Sequence, residues 1–241
     1  MTTHWSMVGD FALEQSAPER AEAAFARLCQ DYWAPLYRFV LYRGYSMADA
    51  QDLTQGFFAY LFEKRAFPAV DRSKGRFRSF LLLLLKRYLG ATDASRSRQI
   101  RGGAKTMLAL DGERLGQGDV AIEDALKVNA PGDEQRCFDR NWAAELVGRA
   151  METLRAEYSS GRKARVFAEL RPFLTGGLGL PTYETAAANL DVPVETLRSH
   201  ICRLRARYRA LLRAEVRRTV PGEQDIDEEL RYLCRVLLAS T

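Results

Sequence analysis

The chain has 241 residues, and its 36 Lys and Arg against 31 Asp and Glu leave a formal charge of +5. Hydrophobic residues make up 47% and charged residues 28%, a globular composition that excludes disorder throughout. The longest apolar run, Phe80 to Leu85, meets Lys86 and Arg87 at once and is far shorter than the roughly 18–20 residues of a membrane span, so no membrane insertion is expected.

Met1 to Asp10 shows neither a basic start nor an apolar stretch, so no secretory signal is expected. From Ala21 to Tyr42, Phe25, Leu28, Tyr32, Leu36 and Phe39 recur at fours and threes, the stripe of an amphipathic helix. Pro35 is expected to kink that helix or split it. After Gly44, Ser46 can cap a second helix with Asp49 three residues on; it should run to about Lys64 and end near Pro68. Gly75 and the run Phe77–Leu89 mark a third helix, which Gly90 is expected to weaken or end. Residues 102–134 hold glycines, a proline and Asp111, Glu113, Asp119, Glu123, Asp124, Asp133 and Glu134 without periodicity, and read as an acidic linker. Helices resume from about Gln135 to Leu170, stop at Pro172 and resume at Thr182. No strand alternation is found, so an all-α fold is expected.

Two basic blocks flank the linker. One holds Lys74, Arg76, Arg78, Lys86, Arg87, Arg96, Arg98, Arg101 and Lys105 against Asp93 alone; the other runs from Arg198 to Arg218. Clusters of this density read as nucleic-acid surfaces. Within the second, a short helix Tyr183–Leu190 with small Ala186 and Ala187 precedes Asp191-Val192-Pro193 and a long helix from Val194. Leu197, Ile201, Leu204, Tyr208 and Leu211 form the stripe of that helix, and Arg198, Ser199, Cys202 and Arg205 fall away from it. A short helix, a tight turn and a recognition helix are the geometry of a helix-turn-helix module.

Catalytic chemistry finds little support. Only His4 and His200 are present, and no nucleophile-elbow, zinc-protease or phosphate-loop pattern occurs. Gly176-Gly177-Leu178-Gly179 lacks a following Lys-Ser/Thr and reads as a loop. Cys29, Cys137, Cys202 and Cys234 are widely spaced, which argues against a disulfide scaffold or zinc site and fits a reducing cytoplasm. No enzyme activity, catalytic residue, metal or cofactor is expected.

The stretch from Tyr183 through Arg205 resembles the C-terminal DNA-binding domain of bacterial sigma factors, the extracytoplasmic-function group. Asp49-Ala50-Gln51-Asp52-Leu53-Thr54-Gln55-Gly56-Phe57-Phe58 is similar to that family's polymerase-docking helix. Gly75-Arg76-Phe77-Arg78-Ser79-Phe80-Leu81 resembles the start of its promoter-melting helix. Three positions depart from the pattern: Asp191 stands where glycine is common, Pro193 replaces a capping hydroxyl, and Arg87 replaces a frequent Asn.

The resemblance implies a factor that binds core RNA polymerase and directs it to promoter DNA. Its domains would span 20–105 and 135–218, joined by a flexible linker 106–134 and followed by a helical extension 219–241. It implies polymerase contacts by Asp49, Asp52 and Gln55, backed by Leu53 and Phe57. Minus-ten contacts would fall to Lys86, Arg87, Tyr88, Arg96, Arg98, Arg101 and Lys105. Minus-thirty-five contacts would fall to Arg198, Ser199 and Cys202 on bases, with Arg203 and Arg205 on the backbone. An anti-sigma factor or another regulator is a further partner the family suggests. A DNA-binding regulator that never touches polymerase is the alternative, and a helical adaptor a more distant one.

In the tail, Pro221-Gly222 should break the long helix, and Asp225–Leu238 restarts it with Ile226, Leu230, Leu233 and Leu237 on one stripe. A helix of this length is marginal alone and must bury its stripe. It is expected to pack on the C-terminal domain, or to lay Asp227, Glu228 and Glu229 over the Arg198–Arg218 block.

Overall fold

The computed structural model describes residues 18–63, 76–100, 132–176, 180–220 and 222–239. Among the described residues the fold is all-α, with no strand. The helices are α1 (Pro18–Tyr42), α2 (Met47–Glu63), α3 (Phe77–Ile100), α4 (Asp133–Glu157), α5 (Gly161–Leu170), α6 (Pro172–Thr175), α7 (Tyr183–Leu190), α8 (Val194–Arg217) and α9 (Ile226–Leu238). They form two compact units, Ala144–Val216 and the remainder, divided within α4 and within α8.

In the larger unit, the stripe of α1 (Leu28, Tyr32, Leu36, Phe39, Val40) is buried with Leu53, Phe57 and Leu61 of α2 and Phe77, Phe80, Leu81 and Leu85 of α3. Phe138 and Trp142 of α4 complete this core. Trp142 stacks on Tyr32 with ring centroids 4.4 Å apart, and Phe138 meets Phe39 edge-on at 6.2 Å. Aromatic pairs in these geometries add about 0.5–1.5 kcal/mol each beyond the area they bury.

Pro35 does not split α1. The missing amide bond costs about 3 kcal/mol in a helix interior. That cost is offset here because Tyr32 and Leu36, on either side of it, are wholly buried. Gly90 does not end α3 either, which runs on to Ile100. Glycine costs only about 1 kcal/mol relative to alanine, and the turns beyond it are tethered. The Tyr45 hydroxyl donates to Asp93 at 2.5 Å, and Arg96 lies 3.3 Å from Asp49. Burial first, and then the Asp93 carboxylate, push the Tyr45 phenol up to about 12. The Ser46 cap is present: the Asp49 amide donates to Ser46 Oγ at 3.1 Å and the Ser46 hydroxyl returns a bond to Asp49 Oδ2 at 2.7 Å.

The stretch 135–170 holds two helices, α4 and α5. Ser160 is extended and Gly161 takes φ +53°, a left-handed value that glycine adopts without strain.

The tail departs most from expectation. α9 belongs to the larger unit and not to the unit of residues 144–216. Ile226 and Leu233 are buried as the stripe requires, but Glu229 is buried between them, on the same face. Three residues after Ile226 and four before Leu233, it cannot be a solvated first-turn acid. Its carboxylate pairs with Arg78, whose guanidinium is 1% exposed, and Arg78 Nε donates to Asp139 at 2.7 Å. Tyr232 donates to the other Asp139 oxygen at 2.5 Å. Arg76 lies over the Tyr232 ring at 4.2 Å and its Nε is 2.7 Å from Glu229 Oε2, close enough for ion pairing but without hydrogen-bond alignment. Arg76 and Arg78, counted in the sequence among a DNA-facing block, are therefore the anchor of the C-terminal helix. Farther back, Arg218 reaches Asp31 at 3.2 Å and Arg217 reaches Glu223 at 2.8 Å.

The smaller unit closes on a second core of Leu154, Phe167, Leu170, Phe173, Ala186, Ala187, Leu190, Leu197, Ile201 and Leu204. This core fixes α7 and α8, and with them the surface described next.

Candidate nucleic-acid interface

Helix α7 is eight residues long and could not stand alone. It is closed at both ends. Thr182 Oγ1 accepts the Thr185 amide at 3.1 Å at its start. At its end Asp191 takes φ 53°, ψ 52°, and among the described residues it is the one non-glycine with positive φ. The Asp191 amide donates to Ala188 and the Val192 amide to Ala187, each at 3.1 Å. This paired pattern is a Schellman closure, and aspartate is among the few side chains that enter the left-handed region readily. Pro193 then opens α8, its carbonyl accepting the Leu197 amide at 3.1 Å. The residue that departs from the expected glycine thus performs the glycine's task.

Ala186 and Ala187 are buried, so no side chain longer than a methyl separates α7 from the core it shares with Leu197 and Ile201. That burial turns the other side of α8 outward. Arg198, Ser199, Cys202, Arg203 and Arg209 are all exposed. Arg198 is paired with Glu195 at 2.7 Å, both largely exposed, and its guanidinium lies 5.9 Å from the Tyr183 ring. An exposed i,i+3 pair contributes only about 0.3–0.5 kcal/mol, so a nucleic-acid partner can take Arg198 at little cost.

Arg205 and Arg207, like Arg217 and Arg218 farther along the block, are engaged by the fold. Arg205 donates through Nε and Nη2 to the Phe173 carbonyl at 3.3 and 3.0 Å, tying α8 to α6. Arg207 grips Glu157, Nε to Oε2 at 2.8 Å, and that bond holds the Glu157 carboxyl below its ordinary range. Arg205 is thus a brace of the fold, not a free backbone contact. His200 is half-buried; it lines a cavity of about 120 Å³ with Arg162, Arg165 and Leu190, and its Nδ1 is enclosed without a partner. It is a packed residue. Basic residues outside the two sequence blocks are also exposed here: Arg162, Lys163 and Arg171. The run Arg162-Lys163-Ala164-Arg165 was their signal, hidden because acids at Glu157 and Glu169 lower the local net charge.

In the larger unit, Asp52 and Gln55 are exposed on α2 while Leu53 and Phe57 are buried beneath them. Asp49 stands at the start of the same helix, and its carboxyl is held below the usual range chiefly by the Ser46 hydroxyl and secondarily by Arg96. Arg96 and Asp49, assigned to different partners, meet each other. Lys86 pairs with Glu134 at 2.7 Å, a carboxylate that Arg43 also holds at 2.8 Å. Glu134 is depressed below its ordinary range by the Lys86 bond above all.

Tyr88 is not poised for a base. Its ring packs 5.6 Å from Phe57 and 5.7 Å from Tyr60, and burial raises its phenol above the ordinary value. Gly56 makes room for it: a Cβ there would lie 2.5 Å from the Tyr88 hydroxyl. Arg87 is half-buried beside it. The Arg98 side chain, Arg101, Lys105 and the acidic linker lie outside the described residues. No helix among the described residues is long and apolar enough to cross a membrane.

No protein-family model, curated protein or solved structure matches this chain.

Proposed function

We propose that the chain is a sigma-type transcription factor, binding core RNA polymerase through α2 and reading promoter DNA through α8. One observation carries the DNA-reading half: a short capped helix, a left-handed turn at Asp191 and a long helix whose outer face presents Arg198, Ser199, Cys202 and Arg203. Early residues of such a helix reach base edges in the major groove, and later arginines meet phosphates. The polymerase half rests on the resemblance of Asp49–Phe58 and on the exposure of Asp52 and Gln55 over a buried Leu53 and Phe57. In this reading residues 20–105 and 135–218 act as two domains joined by the acidic linker 106–134, and α9 braces the first of them. The factor works in the cytoplasm, without a cofactor or catalysis of its own.

A stand-alone regulator is the second reading, and a specific arrangement favours it. Lys86, Tyr88 and Arg96 are engaged with Glu134, Phe57 and Asp49 respectively, which leaves less of α3 for melted DNA. The Arg96–Asp49 pair is exposed and contributes at most about 1 kcal/mol, so docking on polymerase can separate it. Replacing Asp52 with Arg distinguishes the two. We expect Asp52→Arg to abolish capture of core polymerase while leaving helicity unchanged, because an exposed side chain carries no packing. Equal capture by the variant and the parent in a pull-down would refute the docking role.

A further inference from the structure

The smaller unit carries a cavity that the outward face of α8 leaves unused. It has a volume of about 120 Å³ and is lined by Arg162, Arg165 and Val166 of α5, Leu190 and Val192 about the Asp191 turn, and His200 of α8. Pockets for drug-sized ligands run to about 300–1,000 Å³, so this space takes one small ion or one group of a larger ligand. Two guanidinium groups line it and no carboxylate does; Asp191, between two lining residues, is not part of the wall. Arg162 is exposed and has no ion pair or hydrogen bond with any described residue. Arg165 donates through Nη2 to the Asn189 carbonyl, a neutral acceptor that leaves its charge uncompensated. The Glu169 carboxylate accepts from Asn189 at 3.0 Å and pairs with neither arginine. No described residue fixes the His200 ring, whose Nδ1 is enclosed without a partner.

Guanidinium forks match the oxygens of a phosphate, and an anion between two of them relieves their mutual repulsion. An imidazole that nothing else holds can turn an N–H toward the same oxygens. We infer that α5 and α8 form a site for a single phosphate group, its oxygens held by Arg162 and Arg165 beside His200. Because the two arginines stand on α5 and His200 on α8, an occupant ties the recognition helix to the helix behind its turn. The phosphate comes either from a DNA strand, the source that rests on the promoter-reading role, or from a free phosphate ion.

The test titrates the full chain with inorganic phosphate in place of chloride at constant pH and ionic strength. It follows the His200 ring signal by nuclear magnetic resonance, assigned by its absence in His200→Gln. The signal should move and saturate. Arg162→Ala should raise the half-saturating concentration about tenfold or more, the loss of one charge-assisted contact. Arg162 is exposed, so its replacement leaves the fold intact even if Arg165→Ala, which also loses the Asn189 bond, does not fold. Lys163→Ala, an exposed neighbour outside the lining, should change little. An unmoved His200 signal, an unchanged response in Arg162→Ala, or an equal loss in Lys163→Ala would overturn the site. No polymerase or DNA enters this titration, so its failure is distinct from failure of the sigma reading. Promoter complexes with core enzyme then separate the two sources. A strand phosphate makes Arg162→Ala weaken all promoter variants alike and lowers the salt dependence by about one counterion; a free phosphate leaves promoter affinity unchanged in that variant.

Discussion

Arg78→Ala should destabilise the larger unit by about 3–5 kcal/mol, the cost of removing one partner from a buried ion pair. Arg78 is 1% exposed, and Asp139 and Glu229 beside it are 2% exposed, so truncation takes the shared cation from two buried carboxylates, leaving Asp139 to Tyr232 and Gln135 and Glu229 to Arg76. Burial on its own would lower the Arg78 pKa; Asp139 and then Glu229 more than offset it, and the guanidinium stays charged. The three residues come from α3, α4 and α9, separated by 61 and 151 positions from Arg78, so their loss loosens elements that local sequence does not hold together. Urea unfolding of the chain measures it, as a lower midpoint at similar slope. A control separates charge from volume. Arg78→Met with Asp139→Asn and Glu229→Gln removes all three charges and should recover most of the loss, since neutral replacement of buried ion networks is often tolerated. A change of less than about 1 kcal/mol in Arg78→Ala would mean a solvated pair.

The second large effect lies in recognition. Arg198 stands in the first turns of α8, and an arginine bidentate to guanine contributes about 1–3 kcal/mol of discrimination, roughly ten- to a hundredfold. Arg198→Ala should therefore flatten the difference between the preferred upstream element and its point variants. Arg209 stands three turns further on, exposed, its Nε against the Arg205 carbonyl at 3.4 Å. A phosphate contact there carries no sequence information, so Arg209→Ala should weaken all variants alike and lower the salt dependence by about one counterion. Transcription or binding across a set of promoter variants reads both. Equal loss on every variant for Arg198→Ala would remove it from base reading.

Much of this architecture was legible in the chain because it depends on short-range rules. The stripe of α1, the Ser46 cap, and the α7–turn–α8 sequence each follow from periodicity or a local hydrogen bond, and each has its counterpart in the structure. Even the departure at Asp191 could be read, since aspartate tolerates the left-handed turn. What could not be read depends on residues far apart. Glu229 looks like a helix-dipole acid until Arg78, 151 positions earlier, is placed against it. The same holds for Arg76 and Arg205, whose charges suggested nucleic acid but whose partners are Glu229 and the Phe173 carbonyl. Charge density counts arginines without showing which of them already have a partner. Tyr88 fails for a related reason: Gly56, on another helix, opens the space that draws it inward. Proline and glycine signals at Pro35 and Gly90 were overridden by burial and by tethers from α2 and the residues before it.

The proposed role is to read promoter DNA as a subunit of polymerase. An electrophoretic shift on promoter fragments tests it most directly, with the chain alone, core enzyme alone and the two combined. A sequence-selective complex is expected only in the combined lane, and Asp52→Arg should remove it. A selective shift by the chain alone, unchanged by core enzyme or by Asp52→Arg, would contradict it.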